Sequence, residues 1–368
     1  MHVVSSLGAG GMENGVVNLC NRLDTARFAP SICVLRAGGA LEARVDTKRV
    51  RLVVAERRFG NDPKVPFQLA THLRRHRIDI VHTHAWGTLV EGFVAAKLAG
   101  VPVLIHGEHG TIETRWRNLL VQRWLWRNVD QVTAVSSALA AQLVKTATLP
   151  SKRIHVINNG VDTERFRPLG VAKDILRKRF GLPVEGLLVT MVARLIPLKD
   201  HAGVMHAVAK LRGEGVDVRL AFAGDGPMAS ELEQLAAVLS IADRVHFMGR
   251  IDSVAELLNA ADIFVSNSHR EGMSNTVLEG MACGLPVVAT RVGANPDLLD
   301  EGTAGLLVPP RRSDCLALAL RELAKDSLRR QFLAQAALRR ARDRFSILAM
   351  LESYSHLYYE LALRQGVC

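Results

Sequence analysis

A chain of 368 residues has room for about two domains, each large enough to bury its own core. Aromatic residues make up only 5%, no apolar run approaches the ~20 residues of a membrane span, and Met1-His2 leads into an apolar strand with no basic leader before it. The formal charge of +11 calls for an acidic partner; with no zinc pattern, helix-turn-helix signal or basic-aromatic motif, nucleic acid gives way to phosphorylated substrates or an anionic membrane surface.

The five cysteines (Cys20, Cys33, Cys283, Cys315, Cys368) show no CxxC or metal spacing and are odd in number, which points to reduced thiols in a cytoplasm. Along the chain, short apolar runs alternate with amphipathic stretches. The first set begins at His2 and continues at 31–35, 50–54, 78–82, 101–105 and 131–135. A second set lies at 187–191, 218–223, 244–248, 263–266 and 287–290. Such alternation predicts parallel sheets covered by helices. Residues 158–182, rich in Asn, Gly, Pro and charge, separate the sets as a hinge. The expected organisation is α/β: two Rossmann-like doubly wound domains at 1–165 and 166–345, with residues 346–368 as a last helix crossing back to the first.

The first motif follows the first strand: Gly8, Gly10, Gly11 and Glu13 precede a helix expected at 14–23. Glycines there let the backbone approach a ligand at a helix N-terminus, although a plain structural turn has the same composition. Glu13 occupies the last glycine position of a GxGxxG pattern, so no dinucleotide fingerprint is formed. His82-Thr83-His84 and His106-Gly107-Glu108-His109-Gly110 close two predicted strands, at the ends that face the ligand crevice of an open α/β sheet. A metal centre built from these four histidines is the competing reading. Within 113–128 (Glu113 to Asn128), Trp116, Leu120 and Trp124 share a helical face beside Arg123 and Arg127. That face either packs on the sheet or rests on an anionic bilayer or a lipid-linked acceptor.

Past the hinge, Arg194 and Lys199 stand five apart at a strand end and a helix start, within reach of one diphosphate. The chain has no Asp-x-Asp pair to hold a metal on a nucleotide-sugar, so leaving-group charge falls to Arg194, Lys199 and a helix N-terminus near Ser274. Gly224-Asp225-Gly226-Pro227 nearly spells a dinucleotide turn, but Pro227 at a helix's first position explains it, and Asp243 precedes its strand instead of ending it. Ser274 is a good N-cap, predicted to leave the amides of Asn275, Thr276 and Val277 pointing out. Glu271 precedes that cap and Glu279 lies ~7 Å beyond it along the helix axis. Two acids flanking a phosphate site suit a nucleotide-sugar pocket.

Glu271-x7-Glu279, followed by Gly284-x-Pro286-Val287-Val288-Ala289-Thr290 and Gly293, resembles the retaining glycosyltransferases of family 4, which have the GT-B fold with a cleft between its domains. Gly10-Gly11-x-Glu13, the Asn159-Gly160-Val161-Asp162 linker, Arg194 with Lys199, and Gly224-Asp225-Gly226-Pro227 extend the resemblance along the chain. It implies a metal-independent hexosyltransferase without an organic cofactor, taking a nucleoside-diphosphate sugar as donor and a glycan or lipid-linked acceptor. By the resemblance, Glu271 and the backbone of Gly272, Met273, Ser274, Asn275 and Thr276 hold the donor, and Glu279 binds the ribose. Arg194 and Lys199 take the diphosphate, Gly249-Arg250 meets the base, and His109, rather than His82 or His84, lies near the sugar. Gly10, Gly11 and Glu13 face the donor, with the acceptor docking beside them. The strings at 106–110 and 13–17 are similar to sugar transferases of exosortase-linked exopolysaccharide clusters. The implied setting is the cytoplasm, at the inner face of the cell membrane. A GT-B epimerase or an NAD-dependent enzyme using 224–229 are the alternatives.

Overall fold

The computed structural model describes residues 1–8, 10–57, 62–110 and 116–367. The chain forms two compact units, Met1–Asn159 with Leu348–Cys368, and Gly160–Ile347. The division falls between Asn159 and Gly160 and not at 165/166, because Val161 is tied to the end of the second unit. Its amide donates to Phe345 O at 2.8 Å, and Ile347 N donates back to Val161 O at 2.8 Å.

In the first unit the chain runs β1 (His2–Val4), α1 (Gly11–Arg22), β2 (Ser31–Val34), β3 (Arg51–Val54), α2 (Val65–Arg75), β4 (Ile80–His84) and α3 (Trp86–Ala99). It continues through β5 (Val103–Glu108), α4 (Trp116–Asn128), β6 (Gln131–Ala134), α5 (Ser137–Ala147) and β7 (Ile154–Val156). The seven strands are parallel, in the order β3-β2-β1-β4-β5-β6-β7. Most of them are apolar and buried on both faces, as parallel strands covered by helices must be. Val4, Leu7, Val16, Val17, Ile32 and Val34 form the core between α1 and the sheet. Cys20 lies within it and Cys33 is buried on β2 between Ile32 and Val34; burial pushes both thiols up to about 12, so they are inert.

The second unit holds α6 (Lys173–Arg179), β8 (Leu187–Val192), α7 (His201–Gly213), β9 (Val218–Ala223), α8 (Ala229–Val238), β10 (Val245–Gly249), α9 (Val254–Ala260) and β11 (Ile263–Ser266). It closes with α10 (Asn275–Ala282), β12 (Val287–Thr290), α11 (Asn295–Leu298), β13 (Leu306–Val308), α12 (Ser313–Lys325) and α13 (Ser327–Arg344). Its six parallel strands run β10-β9-β8-β11-β12-β13. The final helix, α14 (Ile347–Arg364), belongs from Leu348 onward to the first unit, where Tyr354, Leu357, Tyr358 and Leu361 are buried.

Strand order reverses between β1 and β4 in the first unit and between β8 and β11 in the second. Those are the points at which open α/β sheets take ligands. Two strands were not anticipated, the three-residue edges β7 and β13. Residues 173–179 of the expected hinge form α6. β4 and β5 start two residues later than the apolar runs suggested, so His82 and His106 lie inside strands and not at their ends. A two-residue slide keeps the same side chains on the same face, which is why alternation could not detect it. Among the described residues no helix is long and apolar enough to cross a membrane.

Candidate active site

The switch point of the second unit is built from two loops, one after β8 and one after β11. Asp200 sits at φ 51° and caps α7, its carboxylate accepting from Gly203 N at 3.0 Å. The buried Asn267, just past β11, donates its amide to Asp200 Oδ2 at 2.9 Å and to Asp200 O at 3.0 Å. His269 N donates to Leu198 O at 2.9 Å, so the loops are joined at three points. Sequence reasoning used neither Asp200 nor Asn267; only the capping pattern of Asp200 was there to be found.

These joined loops bring Lys199 and Glu271 together. The Lys199 ammonium pairs with Glu271 Oε1, which also accepts from Ser268 Oγ at 2.7 Å. With side chains 20% and 13% exposed, the pair is sheltered yet reachable. Behind it, Gly293 holds φ 54° and packs on the Glu271-Gly272 backbone, and Ala294 N donates to Gly272 O at 2.9 Å. Thr290 Oγ1 ties down Ser268 O at 2.7 Å. The Glu271 carboxylate is therefore placed by a backbone braced from β12.

Ser274 caps α10 as expected, its hydroxyl accepting from Val277 N at 3.4 Å. That bond takes Val277 out of the set of outward amides. Met273 and Ser274 are buried, whereas Glu279, Gly272, Asn275 and Thr276 are half-buried. Arg194 is exposed in the β8 loop, and Gly249 and Arg250 are exposed at the end of β10. Among the described residues neither arginine has a hydrogen bond or ion pair to Lys199 or Glu271.

Gly224 and Gly226 serve a different end from a dinucleotide turn. A Cβ on Gly224 would lie 2.8 Å from Ala193 C, and one on Gly226 would lie 2.8 Å from Leu195 C. Leu195 N donates to Asp225 O at 2.7 Å. The space these glycines open is filled by the backbone that carries Arg194, not left for a pyrophosphate. Pro227 stands before α8, which begins at Ala229, so it is a turn residue and not the first helical one.

In the first unit, a Cβ on Gly10 would lie 2.9 Å from Glu13 Cδ, so the Glu13 carboxylate folds over the start of α1. The positive end of that helix already meets an anion of its own. Ala9 lies outside the described residues. At the switch point, Ala85 takes φ 59° and ψ 167°, a conformation normally left to glycine.

His109 Nε2 lies 3.0 Å from His84 Nδ1, and burial, with His106 adding, lowers its pKa to about 4. Near neutral pH it is a hydrogen-bonding group and not a cation. His106 faces the other side of the sheet, where Thr83 Oγ1 is 2.7 Å away and Glu108 Oε1 2.9 Å away. Gln122 of α4 donates to the same Glu108 oxygen at 3.0 Å. The four-histidine centre considered from sequence is therefore not formed. His2, read from the sequence only as the start of a strand, joins His82 and His84, and the ligating atoms of the three lie within 4.8 Å of one another. No carboxylate stands in that trio, and its rings already bond one another and Tyr358.

In α4, Gln122, Leu125 and Trp126 face the sheet, whereas Trp116 is 66% and Trp124 57% exposed. The apolar stripe seen in sequence is thus the outer face of the helix. Residues 111–115, including Glu113, lie outside the described residues.

Two doubly wound parallel sheets in one chain are the arrangement of GT-B glycosyltransferases. Residues 172–340 match the family "Glycosyl transferases group 1", and residues 9–165 match "Glycosyltransferase Family 4". The chain belongs to this glycosyltransferase family. It is 31% identical to a D-inositol 3-phosphate glycosyltransferase of Saccharomonospora viridis, over 77% of this chain and 70% of that one. It is 27% identical to the UDP-Gal:alpha-D-GlcNAc-diphosphoundecaprenol alpha-1,3-galactosyltransferase of Escherichia coli, over 83% of this chain and 81% of the relative. Among solved structures, Anabaena HepE in complex with UDP matches with a TM-score of 0.87 at 22% identity, covering 98% of this chain and 99% of that one.

Proposed function

We propose that the chain is a retaining, metal-independent hexosyltransferase that moves a sugar from a nucleoside-diphosphate sugar to a lipid-linked or oligosaccharide acceptor in polysaccharide assembly. The observation that carries this reading is the Lys199–Glu271 pair, held beside the N-terminus of α10 by two joined loops. A departing diphosphate needs positive charge that is already in place, and Lys199, Arg194 and the Asn275 and Thr276 amides supply it without a metal or organic cofactor. When Lys199 turns to the phosphate, the Glu271 carboxylate is released to accept from sugar hydroxyls. Glu279 takes the ribose, Gly249-Arg250 borders the base, and Met273 walls the pocket. His109 orients the sugar. The acceptor docks near Gly10, Gly11 and Glu13, where the Glu13 carboxylate disfavours a second anion and favours hydroxyls.

The E. coli relative is named for a UDP-sugar and a diphosphoundecaprenol-linked sugar. An acceptor of that kind lies in a membrane, and the outer face of α4 suits one: Trp116 and Trp124 with Leu120, flanked by Arg117 and Arg127. The enzyme then works at the cytoplasmic face of the membrane. NAD chemistry has no support, since the glycines of 224–226 are covered by backbone.

Purified enzyme, a panel of nucleotide-sugars and a bacterial lipid extract in EDTA test the reading, with the glycosidic product resolved by NMR. Transfer with the donor's anomeric configuration kept is expected. An inverted product would remove the retaining step, and loss of activity in EDTA would remove metal independence. Free epimerised donor formed without acceptor would make the enzyme an epimerase.

A further inference from the structure

Four imidazoles and a phenol run unbroken through the first unit. His109 Nε2 lies 3.0 Å from His84 Nδ1, and His84 Nε2 lies 2.9 Å from His2 Nδ1. His2 Nε2 then lies 3.4 Å from Tyr358 Oη, and that hydroxyl lies 2.8 Å from His82 Nδ1. His2, His82, His84 and Tyr358 are buried, and they come from β1, β4 and α14. The His2 and His84 rings stack at 5.2 Å, and the His82 and His84 centroids are 4.2 Å apart. Burial and the neighbouring rings hold His2, His82 and His84 well below the usual imidazole pKa, so all are neutral near pH 7.

A neutral imidazole carries one N–H and one lone pair, so a ring that donates at one nitrogen accepts at the other. Along such a chain the choices are linked. If Tyr358 donates to His2, each ring passes a donor onward and His109 ends with its proton on Nδ1. If Tyr358 donates to His82, every bond reverses: His2 donates to Tyr358, His84 to His2, and His109 to His84 through Nε2. The distances favour the second order. An O–H donor is at its usual length at 2.8 Å, and the 3.4 Å contact suits only the weaker N–H···O bond. The N–H then left on His82 Nε2 faces the space over Gly107, where a Cβ would lie 3.0 Å from it and 3.1 Å from the accepting His84 Nδ1. That N–H has no hydrogen-bond partner among the described residues.

We propose that Tyr358, by donating to His82, sets the tautomer of His109 through His2 and His84, so that His109 offers a lone pair at Nδ1 to a hydroxyl of the donor sugar. Tyr358 and His82 are positioning residues, and only the step from His109 to the sugar rests on the function proposed above. His109 thereby selects donors with a hydroxyl to give at that point over those with a bare acceptor there.

The test is long-range 1H–15N NMR on protein labelled at histidine, which reports the proton on each ring nitrogen. The wild type is expected to show His109 protonated at Nε2. In Tyr358→Phe the His2 Nε2–H loses its acceptor, and reversal moves the His109 proton to Nδ1. His82→Leu frees the Tyr358 proton to turn to His2, which gives the same reversal by another route and serves if the first variant folds poorly. Both should lower kcat about tenfold with acceptor KM unchanged. A wild-type His109 protonated at Nδ1, or a tautomer unmoved in both variants, overturns the proposal. Reversal with unchanged kcat upholds the chain and removes His109 from sugar binding.

Discussion

Gly293 carries the geometry of the site loop, and replacing it with alanine measures how closely Glu271 is held. At φ 54° an L side chain costs about 1 kcal/mol before any contact is counted. The new Cβ would stand 2.7 Å from Gly272 O and closer still to Glu271 O, both backbone atoms that cannot rotate away. Forcing the loop back costs about 1–3 kcal/mol more, as overpacking does. The total, about 2–4 kcal/mol, corresponds to a midpoint lowered by roughly 5–15 °C for a unit of this size. Because the displaced segment carries Glu271 away from Lys199 and Ser268, turnover should fall at least about tenfold, the effect of a shift of 1 Å or less in a placed group. Gly181→Ala is the control: its φ is 64° and nothing lies within 4 Å, so only the conformational cost remains. Thermal unfolding and kcat/KM of both variants decide the matter. If Gly293→Ala matches Gly181→Ala in midpoint and keeps full activity, the bracing of Glu271 from β12 is refuted.

Lys199→Met removes the charge that meets the diphosphate while the loops stay joined through Asp200 and Asn267, so activity should drop at least about 100-fold with about 1–2 kcal/mol of stability lost; kinetics and urea unfolding of one preparation check both. His201 is buried edge-on to Phe222, and burial, with the Lys199 charge, lowers its pKa to about 4. The unfolded chain takes up that proton near pH 6.5, so stability from this group is present above 6.5 and lost as pH falls toward 4, amounting to about 2 kcal/mol by pH 5. Denaturant titrations at pH 7 and 5 should show that loss reduced in His201→Leu. Trp116→Glu with Trp124→Glu should abolish sedimentation with phosphatidylglycerol vesicles and leave the unfolding midpoint within about 2 °C; unchanged sedimentation would separate α4 from the membrane.

Much of the second unit's site was legible because its signals are local. A cap at Ser274, an acid at Glu271 and a cation at Lys199 each sit at a strand end or helix start that hydropathy marks, and Glu279 follows inside the capped helix. The structure adds that Lys199 and Glu271 meet each other, which spacing could not show because a 72-residue separation leaves no pattern. Histidine was harder. His2 and Tyr358 are 356 residues apart, and only the packing of α14 on the first sheet brings them together. His106 and His109 are close in sequence yet serve different faces, because a strand ends between them. The edge strands β7 and β13 escaped notice because three residues are too few to show a period. Pro227 was misplaced by two residues because proline is as favourable in a turn as at a helix start.

The central claim is that the second unit holds a nucleoside diphosphate without metal, and one ligand titration tests it. Thermal unfolding of the wild type and of Glu279→Ala is followed in EDTA with UDP, GDP, ADP, their sugars and NAD. A ligand that binds only the folded state raises the midpoint, by about 2.7 kcal/mol of stability at a hundredfold excess over Kd. One nucleoside diphosphate and its sugars should stabilise the wild type and lose most of that effect in Glu279→Ala. Stabilisation by NAD alone, or by no nucleotide until a divalent cation is added, would contradict the account.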